Sequence, residues 1–168
     1  MSTNSNDTVK ATVRKPARRL ARRLFLVAII SIAGLSMLSF FSRAPKNIGA
    51  SNGRLAELPD SPNCVATQTV HDDKRLPPIR FQESTDAATA RLKTIIDQKF
   101  PRARLVCESD NYLHYEFTSL IFRFVDDVEF LVNDELKQID FRSASRVGHS
   151  DLGVNRKRMS TISTEMQP

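Results

Sequence analysis

Hydrophobic and polar positions divide the chain into three stretches with different patterns. Residues 24–41 are uncharged and mostly apolar, residues 42–60 mix Pro, Gly, Asn and Ser, and residues 61–166 alternate between short periodic segments and turns. A helix of 18 uncharged residues spans roughly 27 Å, close to the roughly 30 Å of a bilayer's hydrocarbon core. The pattern therefore predicts a transmembrane helix over 24–41, a linker over 42–60 and a folded domain over 61–166.

The folded stretch contains two helical patterns. Apolar residues recur every three or four positions from Ala88 to Phe100, which predicts an amphipathic helix. A serine or threonine at 84–85 can cap its beginning, and Pro101 ends it. A second helix, with a thinner apolar stripe, is predicted over 154–165.

The remaining periodic segments predict strands. Apolar alternation is clearest over 112–119, where Leu113, Tyr115 and Phe117 share one face. Strands are predicted over 79–81, 103–108, 112–119, 122–132 and 136–143. The order β-α-β-β-β-β-α predicts an α+β domain, in which an antiparallel sheet of four to five strands carries the helices on one face.

The excess charge lies before the apolar run. The chain has 25 basic and 19 acidic residues, a net charge of +6. Residues 1–23 hold seven of the basic residues and one acid, so residues 24–168 are neutral overall. Because affinity for nucleic acid comes mainly from neutralising phosphates, the neutral domain is not expected to bind nucleic acid. The basic tail over 1–23 is predicted to be disordered.

The same basic residues orient the predicted span. Seven precede it, and only Arg43 and Lys46 follow it closely. The positive-inside rule then predicts a single-pass protein with a cytoplasmic N-terminus. The domain is expected outside the cytoplasm, in the periplasm if the cell is a Gram-negative bacterium. A signal peptide cleaved after 42–44 is the alternative, although Pro45 directly follows that point.

Three acids on the strand FVDDVEF are candidates for chemistry. Strict alternation places Asp126 on an apolar face and Asp127 and Glu129 on the other. A carboxylate on an apolar face needs a partner, and Arg142 and Arg146 are the nearest in sequence. The structural interpretation is an ion pair of Asp126 with these arginines. The functional interpretation is an acid/base cluster with Asp126, Asp127 and Glu129 as catalytic candidates.

The stretch after that strand is rich in arginine and serine. Hydroxyl, amide and guanidinium groups lie before and within the start of the last predicted helix, which is a plausible anion site. The candidate binding residues are Arg142, Ser143, Ser145, Arg146, Asn155 and Arg156. The alternative is a glycine-turned connection whose serines bond to their own backbone.

Cysteine and motif content add little further chemistry. Cys64 and Cys107 are a candidate disulfide in an oxidising compartment, and a buried free thiol is the alternative for Cys107. His71 with its neighbouring acids matches no zinc spacing. The sequence has no P-loop, GxGxxG, HExxH or EF-hand pattern. No metal and no cofactor is therefore expected.

Four segments together resemble a known family. SPNCVAT, YLHYEFTS, FVDDVEF and above all RSASRVGHSDLGVNRKR are similar to the family called Domain of Unknown Function 1499, over about 58–166. The resemblance implies a secreted, lipid-attached or membrane-attached protein, and it carries no catalytic residue. Relatives often have a cysteine where this chain has Leu58. A lipid at that position is thus not available, and the span over 24–41 is the expected anchor in the lipid bilayer.

Two functional hypotheses follow. The first is a non-enzymatic, membrane-tethered binding or accessory module, which uses the region 142–158 to bind a protein partner or a small anionic ligand. The second is a hydrolase-like enzyme using Asp126, Asp127 and Glu129 with Arg142. The two differ in geometry, because the second requires these acids to line an open cleft.

Overall fold

The computed structural model describes the backbone of residues 5–40 and 45–167, and the side chains of 18–35, 37 and 45–167. Within these ranges the helices are α1 (Ser5–Phe40), α2 (Thr85–Lys99) and α3 (Val154–Glu165), and a short 3-10 helix covers Asp72–Lys74. The strands are β1 (Ala50–Ser51), β2 (Arg54–Leu55), β3 (Cys64–Ala66), β4 (Ile79–Arg80), β5 (Ala103–Ser109), β6 (Tyr112–Thr118), β7 (Val125–Asn133) and β8 (Gln138–Ser145).

Six strands form one antiparallel sheet. Its order is β3-β8-β7-β6-β5, and β4 pairs with β8 beside that path. The predicted α+β class with an antiparallel sheet is confirmed. The predicted four to five strands are too few, because β3 and the separate hairpin β1-β2 add to the number. The segment around Cys64 was not among the predicted strands, and β3 is buried along its whole length.

The apolar core lies between the helices and one face of the sheet, called here the inner face. Leu92 and Ile96 of α2 and Met159 and Ile162 of α3 are fully buried there. They meet the alternate apolar residues of the central strands, among them Phe130. Ser84 caps α2, since its side chain accepts from the backbone N–H of Ala87. Both helices therefore cover one face of the sheet, as the periodicity predicts.

The opposite face, called here the outer face, is polar and partly covered by the segment predicted as a linker. Within 42–60 the chain turns through Asn52 and Gly53, whose φ angles of 51° and 72° fit the tight turn that joins β1 to β2. The β2 residue Leu55 is buried, and β2 contacts β7 and β8. The N–H of Gly49 donates to Glu129 of β7 at 2.6 Å. This part of the linker is therefore ordered against the sheet.

The helix α1 contains most of the predicted span. Its described side chains, at 18–35 and 37, are all exposed. No helix among the described residues is both long enough and apolar enough to cross a membrane, so the expected transmembrane helix over 24–41 is not found there. The side chains at 36 and 38–40 and the end of the span at 41 lie outside the described residues. The tail predicted as disordered is helical from Ser5, and 1–4 also lie outside the described residues.

Both cysteines are free, so the predicted disulfide between Cys64 and Cys107 is wrong. Cys64 lies on β3 and Cys107 on β5, at opposite ends of the strand order. Four strand spacings separate these strands by roughly 19 Å, far beyond the reach of a disulfide. Cys107 is exposed, so the alternative of a buried thiol at this position is also wrong. Burial raises the pKa of the Cys64 thiol, which donates to the carbonyl of Ser61.

Candidate functional site

The three acids of β7 point to opposite faces of the sheet, as the alternation predicts. Asp126 faces the helices, while Asp127 and Glu129 belong to the outer face. All three are buried, and Asp127 and Glu129 have no exposed surface. Because buried carboxylates need full compensation, the partners of each acid decide what it can do.

Asp127 lies in a four-residue cluster on the outer face. Arg146 donates to both of its oxygens, at 2.8 and 2.7 Å. The same guanidinium contacts Glu116 at 2.5 Å. The ring nitrogen Nε2 of His114 lies 2.8 Å from Asp127 Oδ1, and His114 is also buried. Every member of the cluster is thus held by another member.

The charges of this cluster stabilise one another. Burial alone would raise the pKa of Asp127, but hydrogen bonds from Arg146 and His114 outweigh it and lower that pKa. The pKa of Glu116 is lowered in the same way, against its own burial, by Arg146 and Arg104. The pKa of Arg146 is raised, first by its hydrogen bond to Asp127. Asp127 is therefore held ionised, which suits an ion-pair partner and not a proton donor.

Glu129 and Arg142 form a second buried pair on the same face. They lie opposite each other on β7 and β8, and Arg142 Nη1 donates to Glu129 Oε2 at 2.8 Å. The other oxygen of Glu129 accepts from the N–H of Gly49 at 2.6 Å and from the hydroxyl of Tyr112 at 2.8 Å. Burial and the charge of Glu129 raise the pKa of Tyr112. Tyr112 therefore stays protonated and donates to Glu129, and both carboxylate oxygens of Glu129 have hydrogen-bond partners.

The predicted partners of Asp126 are incorrect. Its oxygens accept from Ser145 Oγ at 2.5 Å and from Arg158 Nη2 at 2.6 Å. Arg142 and Arg146 lie on the outer face, where they pair with Glu129 and Asp127, on the far side of the sheet from the carboxylate of Asp126. The ion-pair partner of Asp126 is Arg158, which belongs to α3 and is placed beside Asp126 because α3 packs over the inner face. Nearness in sequence thus selected the wrong arginines.

Asn155 joins β8, α3 and the start of β3 in a polar network on the inner side. Its amide donates to the carbonyl of Asn63 at 2.9 Å and to Ser145 Oγ at 3.0 Å. Its carbonyl accepts from Ser143 Oγ at 2.5 Å and from Arg158 Nη1 at 2.7 Å. Asn155 is 1% exposed and Ser143 0%. The amide thus has no capacity left for a ligand.

The six residues predicted to bind an anion all bond to other groups of the protein. Arg142, Ser143 and Asn155 are buried, and Ser145 and Arg146 bond within the two networks. Arg156 donates to the backbone carbonyl of Asp73. The hydrogen bonds that join Ser143 and Ser145 of β8 to Asn155 and Arg158 of α3 are called here the polar seam. They fix α3 to the sheet.

Metal and catalytic alternatives gain no geometric support. Among the described residues, no three His, Cys, Asp or Glu side chains are grouped as metal ligands. His114 touches an acid, but the pair is closed off from solvent. The enzyme hypothesis required all three acids to line one open cleft. Asp127 and Glu129 are fully buried, and Asp126, which does line a cleft, has its oxygens bonded to Ser145 and Arg158.

A different surface has the properties of a binding site. It is a cleft of about 310 Å³ where the end of α2, the start of β5, the end of β6 and the side of α3 meet. We call it the basic cleft, after the residues that surround its apolar floor. Its floor and rim include Lys99, Phe100, Arg102, Phe117, Lys157 and Arg158.

Aromatic rings form the floor of the basic cleft. Phe100 and Phe117 contact edge to face, with ring centroids 5.4 Å apart. The guanidinium of Arg158 lies over the Phe117 ring at 4.6 Å from its centroid. Because Arg158 is also bonded to Asp126, its charge is already compensated. Arg158 therefore shapes the floor and leaves ligand charge to other residues.

Basic side chains form the rim of the basic cleft. Arg102 donates through Nε to the carbonyl of Thr118 at 3.2 Å, which leaves its charge without an ion-pair partner among the described contacts. Lys157 is exposed on the first turns of α3 and forms no ion pair among the described residues. Lys99 is paired with Glu165 at 2.6 Å. The rim therefore has two uncompensated positive charges above an aromatic floor.

Sequence reasoning missed this cleft because its parts are far apart in the chain. Phe100 was assigned only to the end of a helix. Lys157 lies within the predicted binding region 142–158 but was not among its candidate residues. A local signal existed at 99–104, where basic and apolar residues interleave around Pro101. Only the packing of α2 beside α3 brings that segment to Lys157.

Comparison with known proteins gives one family and no individual relative. The family described as Protein of unknown function (DUF1499) matches residues 54–166. No curated protein and no solved structure matches the chain. The matched range begins at β2 and ends just after α3, so it covers both buried networks and the basic cleft. The chain belongs to the DUF1499 family.

Proposed function

We propose that this protein is a non-enzymatic, membrane-tethered binding module, and that its domain binds a small amphiphilic anion in the basic cleft. One observation carries the proposal, the combination of a concave aromatic floor with a rim of uncompensated basic side chains. A volume of about 310 Å³ lies at the lower end of the range typical of small-molecule sites. An acyl carboxylate or an alkyl phosphate has the matching chemistry.

The two parts of such a ligand would contact different residues. The apolar part gains by leaving water for the surface of Phe100 and Phe117. The anionic head gains charge-assisted hydrogen bonds from Arg102 and Lys157. Asp126 also lines the cleft, but its oxygens are taken by Ser145 and Arg158. It therefore repels a bound anion less than a free carboxylate would.

The tether is supported by the sequence of α1. Residues 24–41 carry no charge, and seven basic residues precede them. The helix continues without interruption from Ser5 to Phe40, and the described part exposes large apolar side chains such as Leu24 and Phe25, at 62% and 66%. Such a surface is favoured in lipid and costly in water. The proposed place of the domain is outside the cytoplasm.

The hydrolase alternative is not favoured. Asp126 lies on one face of the sheet and Asp127 and Glu129 on the other. Each acid already has an arginine partner, and the latter two are fully buried. A general acid or base must reach the proton it transfers. A binding module accounts for these residues as parts of the fold.

The tether and its orientation are tested with a topology reporter. Alkaline phosphatase fused after Met166 in an intact bacterial host is expected to be active, because this reporter requires an oxidising compartment. A fusion to a chain in which Arg18, Arg19, Arg22 and Arg23 are all replaced by glutamate is expected to lose most of that activity. Activity of a cytoplasmic reporter at the same position would contradict the proposed orientation.

Ligand binding in the basic cleft is tested with decyl phosphate. The full chain in phosphatidylcholine nanodiscs is expected to bind decyl phosphate in competition with a dansylated fatty acid. Replacing both Arg102 and Lys157 with alanine should weaken binding by about tenfold or more, since a hydrogen bond to a charged group contributes about 1.5–3 kcal/mol.

Two controls define the result for the cleft. Lys93→Ala removes a half-buried lysine of α2, paired with Glu108 outside the cleft, and should leave binding unchanged. Decanol shares the apolar chain but lacks the charge, so it should bind more weakly than decyl phosphate and equally to both proteins. The proposed ligand class is wrong if the double variant binds decyl phosphate as tightly as the parent chain.

A further inference from the structure

The loop that joins β6 to β7 holds large apolar side chains in solvent. Leu120 is 66% exposed and Ile121 59% exposed. The loop is closed by two hydrogen bonds between Ser119 and Phe124, each of 2.8 Å, one from backbone to backbone and one from backbone to hydroxyl. The rings of Phe122 and Phe124 stack at 5.5 Å. The apolar tip is therefore presented by an ordered loop, and we call residues 119–124 the apolar loop.

The apolar loop stands directly beside the basic cleft. Thr118 and Ser119, where the loop leaves β6, both line the cleft. Arg102 is fixed to the same point through the carbonyl of Thr118. An apolar tip next to basic side chains is the usual composition of a surface that contacts a membrane interface.

Charge in the domain is divided between the two ends of the sheet. The end with the apolar loop carries Arg102, Arg104, Arg123 and Lys157. Of the acids near this end, Glu116, Asp126 and Asp127 are paired with arginine, and Asp151 accepts from the backbone N–H groups of Gly153 and Asn155. The opposite end, formed by the β5-β6 and β7-β8 turns, carries Asp110, Asp134 and Glu135 with Lys137. Although the domain has no net charge, its basic and acidic side chains are concentrated at opposite ends. Only the basic end suits an anionic surface.

We propose that the apolar loop and the basic end of the sheet dock on an anionic bilayer, so that the basic cleft opens toward lipid. Leu120 and Ile121 then enter the interfacial region, and Arg102 and Lys157 approach lipid phosphates. This proposal rests on the proposed tether and cleft, and it names membrane lipid as the source of the amphiphilic anion.

The length of the tether allows this docking. The ordered contact of Gly49 with Glu129 lies nine residue steps after Phe40, where α1 ends. Nine steps of extended chain reach at most roughly 30 Å. A domain held this close to the bilayer meets its surface repeatedly, so weak contacts by one loop are enough to orient it.

Tryptophan scanning tests the proposed docking, since the chain has no natural tryptophan. Leu120→Trp is introduced into the full chain, which is reconstituted in vesicles of phosphatidylcholine and phosphatidylglycerol. Quenching by brominated phosphatidylcholine then reports contact with lipid. Leu136→Trp is the matched control, because Leu136 is similarly exposed, at 57%, in the turn at the acidic end. Tryptophan at 120 is expected to be quenched several-fold more strongly than tryptophan at 136.

The outcomes separate this proposal from the proposed function. Equal quenching at both positions overturns the docking, even where decyl phosphate still binds in the cleft. Blue-shifted emission at 120 without quenching also overturns it, because a protein or a second copy then covers the loop. Strong quenching at 120 that persists in vesicles without anionic lipid overturns the electrostatic part. Selective quenching at 120 together with failure to bind decyl phosphate overturns the cleft ligand alone.

Discussion

Replacing Arg142 with methionine is expected to destabilise the domain by about 3–5 kcal/mol, the range observed when one partner of a buried ion pair is removed. Arg142 is 2% exposed and Glu129 0%. Without the guanidinium, the carboxylate of Glu129 stays buried and keeps only the hydrogen bonds from Gly49 and Tyr112. A domain of this size has a total stability of about 5–15 kcal/mol. The variant should therefore lose a large share of the domain's stability.

The measurement is equilibrium unfolding in urea, followed by circular dichroism of the sheet. Arg104→Met is the matched control, because Arg104 also pairs with a glutamate but its side chain is 68% exposed. Exposed pairs contribute about 0–1 kcal/mol, so this control should change stability little. The interpretation is wrong if the two variants are equally stable.

A double variant separates loss of the pair from loss of packing. Glu129→Gln added to Arg142→Met removes the uncompensated charge and keeps an oxygen for Gly49 and Tyr112. Removing one charge of a buried pair costs more than removing both, because it leaves the other charge buried without compensation. The double variant should therefore recover more than half of the loss. The Nε of Arg142 is buried without a partner among the described residues, which further reduces what the arginine contributes in the native pair.

The sequence predicted most of the elements because their signals are local. α2 combines apolar spacing with a serine cap, and the observed bounds of α3 are the predicted 154–165. The alternation along β6 and β7 assigned each side chain to the correct face. The hairpin β1-β2 was missed even though the Asn52-Gly53 pair is a strong turn signal, since strands of two residues have no periodicity.

Contacts between elements could not be predicted in the same way. Alternation shows that Asp126 faces inward, but the register against β8 decides that it lies opposite Ser145 and that Glu129 lies opposite Arg142. The arginine that pairs with Asp126 comes from α3, 32 residues away in sequence. Likewise, the basic cleft exists only because the ends of three elements meet. The residues of the site were visible in the sequence, and their partners were not.

The RSASR and NRKR segments of the family-like signature are explained by these contacts. Ser143 and Ser145 lie on the inner face of β8, where Asn155 and Arg158 of α3 contact them, and Arg146 lies on the outer face with Asp127. The signature thus encodes a polar seam between a strand and a helix. The proposed binding surface beside it uses Lys157, which lies between the two seam residues of the helix and lines the cleft.

Asn155→Leu is expected to have the second large effect, a loss of about 3 kcal/mol or more. Leucine has the same branched arrangement of side-chain heavy atoms as asparagine but cannot bond to Ser143, Ser145, Arg158 or the carbonyl of Asn63. Each buried polar group left without a partner costs about 1–3 kcal/mol, and neighbouring groups recover part of it by bonding to one another. The loss should appear as a lower midpoint of urea unfolding.

Asn111→Leu is the control, because Asn111 is exposed in the β5-β6 turn, and surface substitutions usually change stability by about 0.5 kcal/mol or less. If Asn155→Leu is as stable as this control, the seam is not what fixes α3 to the sheet, and the packing of Met159 and Ile162 must suffice.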